Sequence, residues 1–294
     1  MSHEPPLKPH ADRSPAGRAL VIAGWCGERR IADPASAKDS GRYFKLWADS
    51  LRRYRHGIDL VVLAIPESRE TRERILDFEA GIRSVTGAHQ RVVVLRRANV
   101  GMSYGSWSDA FATRLDLDRL AGKPLERWYL FEDDWVPCID HWDDSLVEIH
   151  DGYPAACFTG SVVRRDKRFP DHIGIGWGVA NRSALETVWK AFGRLPHSPR
   201  GDYASCEVLG NVALYVELCR ATGLALRDVE SRYRSAYLLP SGEIHWYYAR
   251  NPHAIVMPAQ VVPGATLSPE VVGMAEQRGV LMDLPGAPLS TVLR

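Results

Sequence analysis

In the stretch Trp128-Tyr-Leu-Phe-Glu132-Asp133-Asp134-Trp135, an apolar run ends in three consecutive carboxylates. The run predicts a buried strand over Trp128–Phe131. Like charges this close repel one another, and a buried strand end stabilises them poorly without a counter-ion. While the strand geometry persists, residues 132 and 134 share one face and residue 133 points away. One face therefore offers two carboxylates to a cation or a ribose; a solvated acidic turn is the alternative.

A divalent cation would relieve the repulsion at this strand end. Mg²⁺ and Mn²⁺ prefer oxygen ligands, and such ions are usually bound by few protein carboxylates together with phosphate groups. The apolar strand before the carboxylates and the Trp135 side chain after them favour a binding site over a solvated turn. The sequence thus predicts a metal and diphosphate site at this strand end.

Outward from this strand, short apolar runs alternate with amphipathic helical patterns. Buried strands are also predicted at Ala19–Gly24, Asp59–Ile65, Arg91–Leu95 and Ala155–Thr159. Helices are predicted at Ser40–Tyr54, Thr71–Val85, Ser106–Leu117, Trp142–His150, Ser183–Phe192 and Ser205–Ala221. The alternation implies βαβ units and an α/β, doubly wound, mostly parallel sheet. Ligands bind beyond the carboxyl ends of the strands in such sheets, and the candidate residues follow strands.

The chain has 294 residues, which suits one large domain or two small ones. We predict a flexible tail over residues 1–17, a nucleotide-sugar-binding half over 18–160, an acceptor-binding and catalytic half over 161–260, and a C-terminal extension over 261–294. From Arg227 onward the chain is rich in Tyr, Trp, His and Pro. The formal net charge of +1 gives no electrostatic footprint for nucleic acid or an anionic membrane.

The five cysteines are odd in number, and their spacings match no zinc pattern. Several stand in apolar runs, as buried thiols do, which favours a reducing compartment. No apolar signal region opens the chain, and the apolar run at Leu60–Ile65 is far too short to span a bilayer. We therefore expect a cytoplasmic protein without a transmembrane segment; a homodimer is compatible with the sequence.

Three segments together resemble a known class of enzymes. Asn99-Val-Gly101 follows a predicted strand, Tyr129-Leu-Phe-Glu-Asp-Asp134 closes the next one, and Gly174-Ile-Gly-Trp-Gly178 comes later. In this order and spacing they resemble the GT-A class of glycosyltransferases over roughly residues 19–250, and the third is similar to the acceptor-side glycine loop of that class. The resemblance implies a nucleotide diphosphate sugar as donor, a glycan or small-molecule hydroxyl as acceptor, and Mn²⁺ or Mg²⁺ as cofactor.

The resemblance also implies roles for individual residues. Glu132 would approach the ribose and Asp134 would bind the metal, although the usual triplet of the class begins with Asp and this one begins with Glu. A late histidine often completes the metal shell in this class, which makes His245 a candidate, with His172 and His253 as rivals. A lone histidine with a structural role is the alternative for each of the three.

The remaining candidates follow the predicted topology. The nucleotide-sugar-binding candidates are Gly24, Trp25, Asn99, Gly101, Glu132 and Asp133. Gly101 would allow a close backbone approach, although a tight turn without a ligand explains it equally well. The acceptor-binding candidates are Trp177, Gly176 and Trp135, since a tryptophan plane suits the apolar face of a sugar; a place in the core is the alternative for either tryptophan.

Transfer with inversion needs a group that takes the acceptor proton. Glu207, in the first turn of the helix predicted from Ser205, and Asp202 just before it are the candidates for this base. The alternative is helix capping, because acidic residues are favoured at a helix start in any protein. The sequence does not distinguish inversion from retention.

Three other classes of protein are alternatives to this interpretation. Sugar-nucleotide nucleotidylyltransferases share the doubly wound start and the acidic metal site, but Gly24-Trp-Cys-Gly27-Glu-Arg-Arg30 lacks the lysine and the small residues that would wrap a phosphate. A dinucleotide oxidoreductase would carry its glycine motif directly after the first strand, and Gly174–Gly178 comes too late. A non-catalytic binding module of the same fold stays open, and the intact carboxylates argue against it.

Overall fold

A computed structural model describes most of the central part of the chain. The described residues are 16–24, 47–48, 50–66, 75–76, 79–81, 83, 91–133, 135–137, 140–152, 156–163, 172–197, 214–228, 244–246 and 255–258. The tail predicted over residues 1–17 and the extension predicted over 261–294 lie outside them, apart from positions 16 and 17.

A seven-stranded sheet forms the centre of the described structure. Its strands are β1 (Gly17–Ala23), β2 (Leu60–Pro66), β3 (Arg91–Arg97), β4 (Leu125–Glu132), β6 (Ala156–Val163), β7 (His172–Asn181) and β8 (Ala225–Asp228), in the spatial order β3-β2-β1-β4-β7-β6-β8. Only β7 runs antiparallel to its neighbours, β4 and β6; every other adjacent pair is parallel. The prediction of an α/β, mostly parallel sheet is confirmed.

A small second sheet follows the acidic strand end. It contains β5 (Val136–Pro137), β9 (Ile244–Trp246) and β10 (Ile255–Pro258), with β10 in the middle and antiparallel to both. Since β5 begins directly after Trp135, the late segment around residue 245 is joined through β10 to the chain that leaves β4.

The central strands form because both of their faces are buried. All seven residues of β2, Leu60–Pro66, are buried, as expected for a parallel strand covered on both sides. Two cores result, one on each face of the sheet. The first contains Val21, Leu130, Trp107, Phe111, Phe158 and Tyr215, and the second contains Ile22, Phe131, Trp47, Trp142, Trp135 and Trp177. Within the described structure β3 and β8 are the outer strands of the sheet.

The described helices agree with the sequence except in one place; residues 205–213 of the predicted helix Ser205–Ala221 lie outside the described residues. The helices are α1 (Met102–Ala112), α2 (Arg114–Ala121), α3 (Trp142–Asp151), α4 (Arg182–Phe192) and the helical residues 214–222, here α5. The single helix predicted over Ser106–Leu117 is wrong, because the chain breaks at Thr113 into α1 and α2. Thr113 closes α1 by bonding Ala110 O through both its backbone nitrogen (3.2 Å) and its Oγ1 (2.9 Å).

Other helical residues lie where they were predicted. Positions 47–48 and 50–53 are helical inside the predicted Ser40–Tyr54 helix, and the described positions between 75 and 83 are helical inside Thr71–Val85. In the part of the chain that the structure describes, no helix combines the length and the apolar character needed to cross a bilayer.

The two predicted halves of the chain share this one sheet. Strand β6 crosses the predicted boundary at residue 160, and β7 from the second half lies directly beside β4 from the first. The proposed division into donor and acceptor halves is therefore a functional prediction and not a division of the core.

His150 links α3 to the sheet as a buried neutral side chain. It is 2% exposed, and its Nδ1 lies 2.8 Å from Thr159 Oγ1 of β6. Burial, and next the positive charge of Arg127, lower the pKa of His150 to about 4. The folded protein therefore takes up this proton less readily than the unfolded chain, whose histidines titrate near pH 6.5.

We predict that His150 makes the folded state sensitive to acid. Its contribution to the free energy of unfolding is fully present above about pH 6.5 and is lost as the pH falls towards 4, by about 2 kcal/mol at pH 5. The variant His150→Gln does not titrate, so it should lose correspondingly less stability between pH 7 and pH 5 in urea unfolding. Parallel pH profiles for wild type and His150→Gln would contradict the assignment.

Candidate functional site

The acidic strand end lies where the order of the strands reverses. From β1 the chain passes to β2 and β3 on one side and then returns to β4 on the other side of β1. The connections that leave the carboxyl ends of β1 and β4 therefore diverge, and a crevice opens between such ends in open α/β sheets. Ala23, the last residue of β1, pairs in register with Glu132, the last residue of β4. Glu132 thus lies at this switch point.

The backbone after Glu132 is held in a turn, here called the acidic turn (residues 132–135). Asp133 N donates to Ala23 O at 3.2 Å, and Trp135 N donates to Glu132 O at 3.2 Å. From the opposite side Trp47 Nε1 donates to Asp133 O at 2.9 Å. The strand alternation therefore ends at Glu132. Asp133 is 2% exposed, and Asp134 lies outside the described residues, so a face shared by residues 132 and 134 stays a prediction.

The half-buried Glu132 carboxylate lies against a glycine of β7. A Cβ atom added at Gly176 would come within 2.0 Å of Glu132 Cδ and 2.2 Å of its Oε2. At Gly178 such an atom would lie 2.2 Å from Phe158 Cε1. The side chains of Glu132 from β4 and Phe158 from β6 therefore lie over the two glycines of β7, where β7 has no side chain of its own.

This arrangement corrects one prediction. The segment Gly174–Gly178 was expected to form a glycine loop, but it lies inside β7 (His172–Asn181). Glycine at every second position is a strand period, and Gly176 and Gly178 share the face covered by Glu132 and Phe158. The physical reason for these glycines is the close approach of neighbouring side chains, not the freedom of a loop.

Two tyrosines lie on the same face of the sheet as Glu132. Tyr215 of α5 is fully buried, with its ring edge-on to Phe158 (centroids 4.9 Å apart) and to Tyr104 of α1 (6.3 Å). Burial, and next the charge of Glu132, raise the pKa of Tyr215 well above its usual value, against a smaller opposite effect of Tyr104. The Tyr215 hydroxyl therefore stays protonated. It has no hydrogen-bond partner of standard geometry within the described structure.

The sequence did not single out these tyrosines. Tyr104 stands at helical spacing from Trp107 and Phe111, and Tyr215 from Leu218 and Cys219, which is the pattern of a core face. The feature of the sequence that could have indicated them is a tyrosine at a core position of a helix, because a buried tyrosine hydroxyl usually reaches a hydrogen-bond partner.

The predicted nucleotide-side glycines lie at two strand ends. Gly24 is buried directly after β1, and its N donates to Ala64 O at 3.1 Å. Gly101 precedes α1 with a φ of 73°, a left-handed conformation that suits glycine. Asn99 is exposed in the loop before it. This loop ends in the first turn of α1, which carries Tyr104 towards Tyr215.

Arg97 fixes the loop between β3 and α1. Its side chain is 4% exposed, its Nε donates to Asp109 Oδ2 at 2.6 Å, and its Nη2 donates to Val100 O. The guanidinium passes so close to Gly105 that a Cβ there would lie 2.5 Å from Nη2. The loop is therefore tied both to the strand that precedes it and to the helix that follows.

The two predicted stacking tryptophans are core residues in this structure. Trp135 and Trp177 are each 2% exposed, and their ring centroids lie 6.0 Å apart. The Trp177 ring also lies 6.0 Å from Phe131. A sugar can stack only on an open ring face, so the burial of both rings favours the alternative that they pack the core.

Several predicted site residues lie beyond what the structure describes. They are Trp25, Asp134, Asp202, Glu207 and His253. His245 is described only by its backbone, which lies in β9 and pairs with Met257 of β10. His172 is likewise described only by its backbone, at the start of β7 opposite Val163. The roles of these residues stay predictions.

The described carboxylates suit a hard cation that also binds phosphates. Among the described residues, no group of three or more His, Cys, Asp or Glu side chains is arranged to hold a metal ion. Mg²⁺ and Mn²⁺ need no such cage, because one or two carboxylates are enough when phosphates and water complete the shell. Glu132 and Asp133 supply this oxygen chemistry at the end of β4.

No family model and no curated protein matches this chain. Among solved structures it is similar to mouse xyloside xylosyltransferase 1 in its apo form, with a TM-score of 0.28, 14% sequence identity, and coverage of 50% of this chain and 52% of that one. It is also similar to a cytidylyltransferase from Leptospira borgpetersenii serovar Hardjo-bovis (strain JB197), with a TM-score of 0.40, 14% identity, and coverage of 72% and 75%. The chain thus spans about half the length of the xylosyltransferase.

We predict that Gly176 and Glu132 are energetically coupled. Gly176→Ala should lower the free energy of unfolding by roughly 1 kcal/mol, because its Cβ displaces the Glu132 carboxylate. Glu132→Ala removes the obstructing atoms, so the same glycine substitution should cost much less in that background. Urea unfolding of wild type, both single variants and the double variant measures this coupling.

Gly81→Ala provides the control for backbone effects, since a Cβ at this helical glycine meets nothing within 4 Å. It should leave the stability unchanged or raise it slightly. Additive effects of Gly176→Ala and Glu132→Ala would mean that the carboxylate does not lie on Gly176.

Proposed function

We propose that the chain is a transferase, and specifically a glycosyltransferase, which moves a sugar from a nucleotide diphosphate sugar to an acceptor hydroxyl with the help of Mn²⁺ or Mg²⁺. The observation that carries the proposal is the position of Glu132 and Asp133 at the switch point between β1 and β4. A general rule for open α/β sheets puts the ligand in this crevice. Acidic side chains there suit a cation and ribose hydroxyls better than they suit a bare phosphate.

The reaction requires a base for the acceptor proton and positive charge near the leaving diphosphate. An acceptor oxygen bonds to the anomeric carbon of the donor sugar while the bond from that carbon to the diphosphate breaks. The acceptor proton passes to a base, and Glu207 and Asp202 are the residues proposed for this role. When bound, Mn²⁺ or Mg²⁺ supplies positive charge that offsets the developing charge of the leaving diphosphate. Asp134 is proposed as its ligand, with His245 as a second.

The rest of the site would orient the donor. The Glu132 carboxylate accepts hydrogen bonds, so ribose or sugar hydroxyls are suitable donors to it. The Glu132 carboxylate lies over Gly176 of β7, and its charge acts on Tyr215, which packs against Tyr104 on the same face of the sheet. A fixed carboxylate loses little freedom on binding, which is how an oriented site gains affinity.

Donor binding tests the proposal directly. Thermal shift with UDP-, GDP- and dTDP-sugars plus Mn²⁺ should raise Tm by roughly 5–10 °C for the correct donor at a concentration about 100 times its Kd. Asp134→Asn should abolish the metal-dependent part of the shift while the fold survives. The same substitution at the exposed Asp116, which pairs with Arg119 on the surface of α2, should change nothing.

The competing functions give different results in the same experiments. Pyrophosphate release from a nucleoside triphosphate and a sugar phosphate would indicate a nucleotidylyltransferase. Binding without any hydrolysis or transfer of the donor would indicate a binding module. No shift with any donor, with or without metal, would refute the proposal.

We predict that Glu207 acts as the base. Glu207→Gln keeps the shape of the side chain and removes proton acceptance, so kcat should fall by about 10²-fold or more while the donor Kd holds. Glu148→Gln, at an exposed position of α3, is the matched control and should retain full turnover. Near-normal kcat in Glu207→Gln would move the role to Asp202 or to a retaining mechanism.

A further inference from the structure

Two cysteines from distant parts of the sequence meet between β6 and α5. Cys157 of β6 and Cys219 of α5 are 62 positions apart in the chain, and their Sγ atoms lie 3.8 Å apart. Both are thiols in this structure. A disulfide bond is about 2.05 Å long, so the sulfurs need to approach by less than 2 Å for a bond to form. We infer that Cys157 and Cys219 form a reversible disulfide under oxidising conditions.

A β-bulge brings Cys157 to the helix. The register between β6 and β8 shifts between Ala156 and Phe158, where Cys157 is the extra residue. In a regular strand consecutive side chains point to opposite faces, but a bulge breaks this alternation. Cys157 and Phe158 are accordingly both buried in the core on the α5 side of the sheet. The irregular backbone at Cys157 is therefore what makes the contact with Cys219.

The pair differs in access to a reagent. Cys157 is fully buried, and its Sγ donates to Ala225 O at 3.4 Å, whereas Cys219 is partly exposed. The hydrogen bond with Cys219, together with burial, raises the pKa of the Cys157 thiol. Cys219 is thus the residue that reacts first with an oxidant, and Cys157 is the residue that attacks the resulting mixed disulfide.

The chemistry balances with a small disulfide such as oxidised glutathione as oxidant. The Cys219 thiolate attacks one sulfur of the oxidant, the S–S bond of the oxidant breaks, and one glutathione thiolate leaves. Cys157 then attacks Cys219 Sγ while its proton passes to the departing sulfur, and the second glutathione leaves as a thiol. Two protein thiols lose two electrons and two protons in total, and one oxidant disulfide becomes two thiols.

The bond would reach the candidate site through a single helix. Tyr215 and Cys219 are four positions apart on α5 and so share one face of it. A cross-link at Cys219 would join this helix to β6 one turn away from the tyrosine beside Glu132. It would also close a chain loop that includes β7, which constrains the unfolded chain.

Peptide mapping tests the inference on the full-length protein. The folded protein is incubated with oxidised glutathione, remaining thiols are alkylated with iodoacetamide, and the digest is analysed by mass spectrometry. We expect a peptide cross-linked between Cys157 and Cys219 that dithiothreitol removes, and a Tm higher by roughly 5 °C or more in the oxidised form. Cys219→Ser should lose both the cross-link and the rise in Tm.

Replacing Cys26, Cys138 and Cys206 with serine removes the competing thiols and should leave the cross-link unchanged. Two results would overturn the inference: a stable glutathione adduct on Cys219 with Cys157 still alkylated, or a cross-link that appears only after denaturation. Near-UV circular dichroism before and after oxidation shows that the reaction took place in the folded state.

Discussion

The rest of the site depends on the parallel pairing of β1 with β4, which continues in register to the last residue of each strand. Ala23 pairs with Glu132, and the carbonyl of Ala23 accepts the next amide, that of Asp133. A slip of one residue would turn the Glu132 side chain to the other face of the sheet. It would then point into the core of Trp47 and Phe131 and away from Gly176. The position of the carboxylate is thus set by the backbone pairing of β1 with β4, which keeps one register from Arg18 to Ala23.

The main strands could be predicted from the sequence because the sheet is covered on both faces. A strand buried on two sides needs a continuous apolar run, and Leu60–Ile65 and Trp128–Phe131 are such runs. Their order along the chain, with helices between them, then limits the topology to a parallel sheet. The acidic turn could also be predicted from the sequence, because three charged residues directly follow the apolar run of a buried strand.

Other features were hidden because local patterns do not contain tertiary contacts. The apolar period of α1 continues past Thr113 into α2, so the sequence pattern does not show the break, at which the Thr113 amide and hydroxyl both bond Ala110 O. The glycines at 176 and 178 resemble a loop in the sequence. The reason that they stand in a strand is their contact with the side chains of Glu132 and Phe158, which belong to other strands. Tyr215 looked like a core residue, and it is one; its closeness to Glu132 depends on the packing of α5.

The outer strand β3 has a consequence for the behaviour of the protein in concentrated solution. An outer strand presents unpaired backbone groups on which a second chain can add its own strand, and bulky charges there hinder such growth. Arg91 and Arg96 are exposed at opposite ends of β3, while Val92, Val93, Val94 and Leu95 between them form an apolar run. The two arginines therefore act as gatekeepers against edge-to-edge aggregation. A chain with valine at both positions would keep the buried Arg97 as the last charged residue of β3, so this edge would be less protected against self-association.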